Sequence, residues 1–301
     1  MNRYKKDRIY FWIFLAPALL SFIVVVIIPF FMGIFYSMTD WTAIAGLKPT
    51  WVGLENYKEM FSDLAFQYSF MRTFLFTLLS VLSINFVALA FAFLVTRETK
   101  LKNFYRAGFF IPNLIGGLVL GYIWQFIFKN VVPAIGSLLG IEAMEKVLIL
   151  ADPTLALFGL IFAFTWQYAG YIMMIYVAAL LNVPQELIEA SELDGAGPWH
   201  KFWNIIVPMI AQAFTITSFL TLVNSFKQYD IIRALTNGGP TTQFNDVVVN
   251  STEMLAVHIY NVAFKYNNMA EGQARAIIFF LILSIVAMTQ VYVNKKREVE
   301  M

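Results

Sequence analysis

Six stretches of this chain hold no Asp, Glu, Lys or Arg: residues 9–39, 73–96, 107–128, 153–185, 202–226 and 276–294. The shortest holds 19 residues, and no other uncharged gap exceeds 12. An ionised side chain at the centre of a bilayer costs about 2.5–3.5 kcal/mol on insertion scales, and a helix needs about 20 apolar residues to cross the hydrocarbon layer. Each of the six is long enough and no other gap is. The expectation is an all-α membrane protein, one domain over 1–301, with spans at about 9–37, 73–96, 106–128, 154–181, 203–226 and 276–294. Composition agrees: 59% of the residues are hydrophobic and 13% charged, against about 25% charged in a soluble domain.

Flanking charges orient the spans. Arg3, Lys5, Lys6 and Arg8 precede the first; Arg97, Lys100, Lys102 and Arg106 fill the connection from second to third; Lys295, Lys296 and Arg297 follow the last. The positive-inside rule makes these segments and both termini cytoplasmic. The connections at about 40–72, 129–152 and 227–275 then face outward. The first apolar run is too long for a secretory leader, and no small-x-small cleavage site follows it, so it reads as a retained anchor. Gly117 with Gly121, and Gly159 with Ala163, predict close helix packing.

Several function classes drop out. A net charge of +2 with no long basic run outside the N-terminus argues against nucleic-acid partners. Cysteine is absent and His200 and His258 are the two histidines, so thiol chemistry is excluded and a metal site is not expected. No G-x-x-x-x-G-K-[ST] segment is present to cradle nucleotide phosphates. The six uncharged stretches offer no ionisable Asp, Glu, Lys or Arg within the spans to relay protons or hold a coupling cation, which disfavours a symporter or pump.

One cytoplasmic loop breaks the charge rule. Residues 182–203 carry Glu186, Glu189, Glu192 and Asp194 against Lys201 alone. Asn182 with Gln185 predicts a capping box opening a short helix, Gly195 a stop, and Pro198 the start of a second helix running straight into the fifth span. A folded, acidic projection from a membrane domain suggests a docking surface for another protein.

The residues of this loop resemble a known pattern. Glu189-Ala190-Ser191, Asp194-Gly195-Ala196 and Ile205-x-Val207-Pro208 look like the EAA loop of permease subunits of binding-protein-dependent ABC importers, with Ser191 and Val207 as mild departures. Phe14-Leu15-Ala16-Pro17-Ala18, Gly53-Leu54-Glu55-Asn56-Tyr57 and Leu235-Thr236-Asn237-Gly238-Gly239-Pro240 extend the resemblance to the maltose-type carbohydrate branch, and to the first of its two permease partners. The resemblance implies a type I importer permease (MetI-like) fold in a prokaryotic inner membrane. It also implies a second homologous permease, two ATP-binding subunits and an extracellular sugar-binding protein as partners. The chain itself would need no cofactor, ATP and magnesium residing on the ATPase.

Within that resemblance, Glu189, Ala190, Ser191, Asp194, Gly195, Ala196, Ile205 and Pro208 would couple to the ATPase, with Ile188 and Leu193 supplying apolar contact. Trp166, Gln167, Tyr168 and Tyr171 on the fourth span, and Thr221, Asn224 and Ser225 on the fifth, would line a sugar path, since a neutral sugar needs aromatic faces and neutral hydrogen-bonding groups. Tyr122 and Trp124 read as packing or interfacial aromatics, residues 254–264 as a short outer helix, and Gly238-Gly239-Pro240 as a structural bend. The rivals are an ATP-independent channel or facilitator and, less favoured, a membrane enzyme using Glu189 and Glu192 as an acid/base pair.

Overall fold

The computed structural model describes residues 3–44, 48–97 and 100–295. Lys296 and Arg297, part of the basic flank that orients the termini, lie outside the described residues. Five helices are long and apolar enough to cross a membrane: Tyr10–Ser37, Leu64–Thr96, Gly117–Leu139, Pro153–Leu181 and Met269–Asn294. A sixth candidate is the pair Pro198–Met209 and Ala211–Phe226, bent by 71° at the break. All six expected spans are thus helical, and two are displaced or broken.

The third does not run through 106–128. Helix Lys102–Phe110 gives way at Ile111–Leu114, and a new helix starts at Gly117. Pro112 has no N–H for the ladder, and Ile115 turns extended. Beyond the break the helix passes the charge that the gap count took as its end, because Lys129 sits exposed where a long cation can reach water.

Nor does the fifth run straight from the loop. Its N-terminal part, Pro198–Met209, is oblique to Ala211–Phe226. The upper segment alone is about 24 Å long, and the oblique one adds about 6 Å along the same axis, together about the thickness of the hydrocarbon layer. Trp199 and Trp203 are exposed on the oblique piece, as aromatic residues at a membrane interface are.

Three prolines share one local device. Wide, π-type turns at Ile23–Ile27, Ile127–Val131 and Phe202–Ile206 each end two residues before Pro29, Pro133 and Pro208. The proline ring clashes with the carbonyl four residues back, at the centre of each turn. In each case the N–H just before the proline reaches five residues back, Ile28 to Ile23, Val132 to Ile127 and Val207 to Phe202. The turn widens instead of breaking.

By internal contacts the chain divides into two units. The first comprises Met1–Asp63 and Ile259–Phe280. Here buried Arg275 donates to Glu271 at 2.8 Å and to Asp63 at 2.9 Å. The final helix starts at Met269, earlier than the expected 276, so it carries Glu271 and Arg275 in its first turns, where the buried cation is paired with Glu271 and with Asp63. Asn56 ties its helix to the first span by donating to the carbonyls of Ser37 and Thr39, both at 2.8 Å.

The second unit, Leu64–His258 with Leu281–Met301, centres on the fourth span, 61% of whose most apolar window is buried. Asp152 caps this helix by accepting from the N–H groups of Thr154 and Leu155 at 2.8 Å. Small residues let the second and fourth spans approach: Ser80, Ala88 and Ala92 on one, Ala156 and Ala163 on the other, all buried. The expected Gly117–Gly121 packing is present. A Cβ at Gly117 would stand 2.8 Å from the Cβ of Asp230, and one at Gly121 2.6 Å from that of Ala234, so this face receives the short helix Asp230–Leu235. At Gly159 a Cβ would meet Phe128 and Ile149 at 3.2 and 3.3 Å.

The long connection at 227–268, expected to face outward, is folded. After Asp230–Leu235 the Asn237-Gly238 bend (φ 53° and 98°) feeds an antiparallel hairpin, Thr241–Phe244 with Val247–Asn250, closed by Asn245 and Asp246 at positive φ. The expected outer helix begins at Leu255 and ends in a wide turn, Asn261–Lys265.

Candidate functional site

The acidic loop folds as a helix, bend and second helix. The first helix is Gln185–Leu193, and it is not capped as expected. Asn182 instead ends the fourth span, its N–H donating to Ala179 and Leu180. Pro184 occupies the cap position with extended backbone (ψ 125°), offers no side-chain acceptor, and leaves Asn182 two residues too early for a capping box. Glu186 lies in the first turn, where the helix dipole favours an anion.

The bend follows the expectation. Gly195 adopts φ 78°, its N–H donates to Glu192 at 3.0 Å, and the Ala196 N–H donates to Ser191 at 2.9 Å, a Schellman closure that needs a residue at ease in the left-handed region. Ser191, which departs from the alanine of the EAA pattern, is buried and donates its hydroxyl to the Ile188 carbonyl at 2.6 Å. That bond removes the penalty of a buried hydroxyl. Lys201 pairs with Glu192 at 2.7 Å and ties the second helix to the first.

The remaining side chains point away from the fold. Glu189, Ala190 and Asp194 are exposed, and Leu193 is 90% exposed at the helix end. Glu186, Glu189 and Asp194 make no ion pair among the described residues. Ile188 and Ala196 are half-buried, as are Ile205 inside the wide turn and Pro208 two residues past it. An apolar tip ringed by unpaired carboxylates has the composition of a protein-docking knob.

The seven expected path residues fall on more than one face of the fourth and fifth spans. Trp166 lies 42% exposed on one face of the fourth span, edge-on to Trp124 at 5.5 Å. It lines a cavity of about 820 Å³ with Phe91, Phe109, Phe158 and Phe162. The polar residues of that lining, Ser83 and Thr165, hydrogen-bond to each other at 2.8 Å, so the cavity suits hydrocarbon better than hydroxyls. Tyr168 and Tyr171 occupy another face, half-buried, with the Tyr168 ring 4.6 Å from that of Phe164.

Gln167 is buried, donating to the Ile115 carbonyl at 2.9 Å, where it satisfies the broken third helix. Thr221 and Ser225 are buried with hydroxyls bonded to carbonyls one turn back, Thr217 and Thr221. Asn224 is half-buried beside them. Sequence reasoning passed over Gln125, which donates to the Ala234 and Leu235 carbonyls at 3.1 and 3.0 Å, and Arg72, which donates to Ser251 at 2.8 Å and Pro153 at 3.0 Å. It also passed over Asn85, Tyr176 and Thr217, whose contacts are internal. Their signal was a polar residue in an apolar run, which many packing residues share.

Residues 84–299, which contain the loop, the bend and both sets of candidates, match the family described as binding-protein-dependent transport system inner membrane component. The chain belongs to that family.

Among its relatives is the probable starch degradation products transport system permease protein AmyD of Thermoanaerobacterium thermosulfurigenes, 43% identical over 99% of this chain and 98% of that one. The multiple sugar-binding transport system permease protein MsmF of Streptococcus mutans is 32% identical over 96% of each chain. Of solved structures, a chain of a bacterial ABC transporter involved in import of the acidic polysaccharide alginate superposes with a TM-score of 0.80, at 17% identity over 98% of this chain and 99% of that one. The fold is therefore that of an importer permease, a mostly helical MetI-like membrane component as the loop motif implied, with the hairpin at 241–250 as a β addition to the expected all-α chain.

Proposed function

We propose that this permease is a translocation subunit of an ATP-driven importer for neutral sugars, oligosaccharides above all, in a prokaryotic inner membrane with both termini cytoplasmic. The observation that carries the reading is the exposed knob around Leu193, presented by a Gly195 bend within a motif that fits a motor-docking loop. Relatives named for starch products and multiple sugars support the solute class.

In this reading a second homologous permease completes the pathway, and two ATP-binding subunits grip the Gln185–Leu193 helix of each permease. An extracellular binding protein delivers the sugar. ATP-driven closure of the motor moves the helix and tips the pair from inward-open to outward-open. Glu189 and Asp194 meet donors of the ATPase and Leu193 fills an apolar pocket there, while Glu192, held by Lys201, keeps the knob in shape. Tyr168, Tyr171 and Asn224 carry the sugar-facing surface, backed by Gln167, Thr221 and Ser225. Trp166, turned into the apolar cavity, packs.

Reconstitution with the partner subunits tests this. Gly195→Pro or Glu189→Lys should abolish sugar-stimulated ATP hydrolysis while the membrane subunits still co-purify. Uptake that continues after the motor's phosphate-binding lysine is replaced would instead establish the facilitator.

A further inference from the structure

A closed circuit of hydrogen bonds joins the second, fourth and fifth spans a few turns from the acidic loop. Thr217 Oγ1 donates to the Tyr176 hydroxyl at 2.7 Å, and that hydroxyl donates to Asn85 Oδ1 at 2.8 Å. Asn85 Nδ2 donates to Thr221 Oγ1 at 3.0 Å, and Thr221 Oγ1 donates back to the Thr217 carbonyl at 2.8 Å. The second Asn85 N–H goes to the Val81 carbonyl at 2.8 Å. Tyr176 and Thr217 are 0% exposed and Thr221 1%, which shields the Thr217–Tyr176 bond from water, while Asn85 is half-buried.

Position gives the circuit its significance. Tyr176 precedes the end of the fourth span at Leu181 by five residues, and Thr217 follows the Ile210 break by seven. The fourth span, the acidic loop and the fifth span form a U, and the circuit bridges its two arms above the 71° bend. Below the bend, Lys201 with Glu192 and Phe202 against Phe93 hold the oblique segment. Without the bridge, a displacement of the loop would be absorbed at the bend, where Pro208 has already removed one ladder bond. With it, the fourth span cannot shift without carrying the fifth and, through Asn85, the second.

We infer that the Asn85–Tyr176–Thr217–Thr221 circuit is a clamp that makes these three spans one rigid block, so that motion imposed on the coupling loop becomes motion of the path. Tyr176, Asn85 and Thr217 are positioning residues: they touch neither sugar nor ATPase. The inference rests on the proposed function, since it needs a motor that moves the loop.

The test is the ratio of ATP hydrolysed to sugar imported in proteoliposomes holding the full complex. Tyr176→Phe keeps the ring and removes the hydroxyl that both accepts and donates; Thr217→Val removes the first donor; Thr217→Ser retains it. Tyr176→Phe and Thr217→Val should each raise the ratio by roughly two- to thirtyfold, the range expected for mutations along a coupling element. The double variant should be no worse than either single one, because both open the same circuit. Thr217→Ser should match wild type. Variants that lose hydrolysis and import in proportion to the amount of assembled complex, at an unchanged ratio, would show a merely structural role and overturn the clamp alone. A wild-type complex without sugar-stimulated hydrolysis would overturn the importer reading and the clamp with it.

Discussion

At Gly170 the fourth span leaves no room for a side chain, since a Cβ there would stand 1.7 Å from the carbonyl oxygen of Phe109. The obstacle is backbone, which cannot rotate aside, and Phe109 belongs to the helix that precedes the Pro112 break. Gly170→Ala must therefore push two helices apart, and overpacking of this kind costs about 1–3 kcal/mol. Gly108, on the same short helix as Phe109, has nothing within 4 Å of a built Cβ and a helical backbone. Gly108→Ala should leave stability unchanged or raise it by about 0.4–1 kcal/mol. Thermal melting of the detergent-solubilised complex distinguishes the two, and equal melting would mean that the approach at Gly170 relaxes freely. The Gly117–Gly121 pair was legible in the sequence because a spacing of four puts both on one helix face. Gly170 was not, because its partner is a carbonyl on another helix and no spacing records that.

Elements were legible where apolar length decides and illegible where local chemistry does. Uncharged stretches located six helical regions because charge is excluded from lipid whatever the fold. Their ends were misplaced where a charge can reach water, as at Lys129, or where proline interrupts a run without any charge, as at Pro112 and Pro208. The hairpin at 241–250 was missed for a related reason: its Asn245-Asp246 turn is polar and reads as loop. The first-to-second connection is latched by Asp40, whose two carboxylate oxygens accept from the Thr50 N–H and hydroxyl, both at 2.6 Å. Those bonds, the hydroxyl first, hold the carboxyl below the ordinary aspartate value of 3.8. A depressed carboxyl contributes stability in full above its unfolded value and loses it as pH falls through the folded one. The latch should therefore hold at pH 5 and open progressively below about 3.8. With an acid-active protease, the connection should resist cleavage at pH 5 and yield at pH 3, and Asp40→Asn should yield equally at both. Equal resistance of the native chain at both values would show that the latch does not depend on the charge.

For the whole molecule the open choice is whether the bent pair Pro198–Met209 and Ala211–Phe226 crosses the membrane or returns to the side it left. Five helices cross by length and apolar content, and the pair makes six only if the 71° bend is accommodated within one crossing. The summed projection of about 30 Å favours a crossing. So does the basic flank Lys295, Lys296 and Arg297 after the last span, which shares a side with the acidic loop only if two crossings separate them. The chain contains no cysteine, so single introduced thiols report their side without background. Leu193→Cys, at the 90% exposed helix end, and Val248→Cys, 66% exposed on the hairpin, bracket the bent pair. A membrane-impermeant maleimide should label position 248 in intact cells or right-side-out vesicles and position 193 only in inverted ones. Labelling of both from one side would make the pair re-entrant and put the hairpin on the face of the coupling loop. It would leave five crossings and opposed termini, and the hairpin could no longer face a binding protein outside the cell.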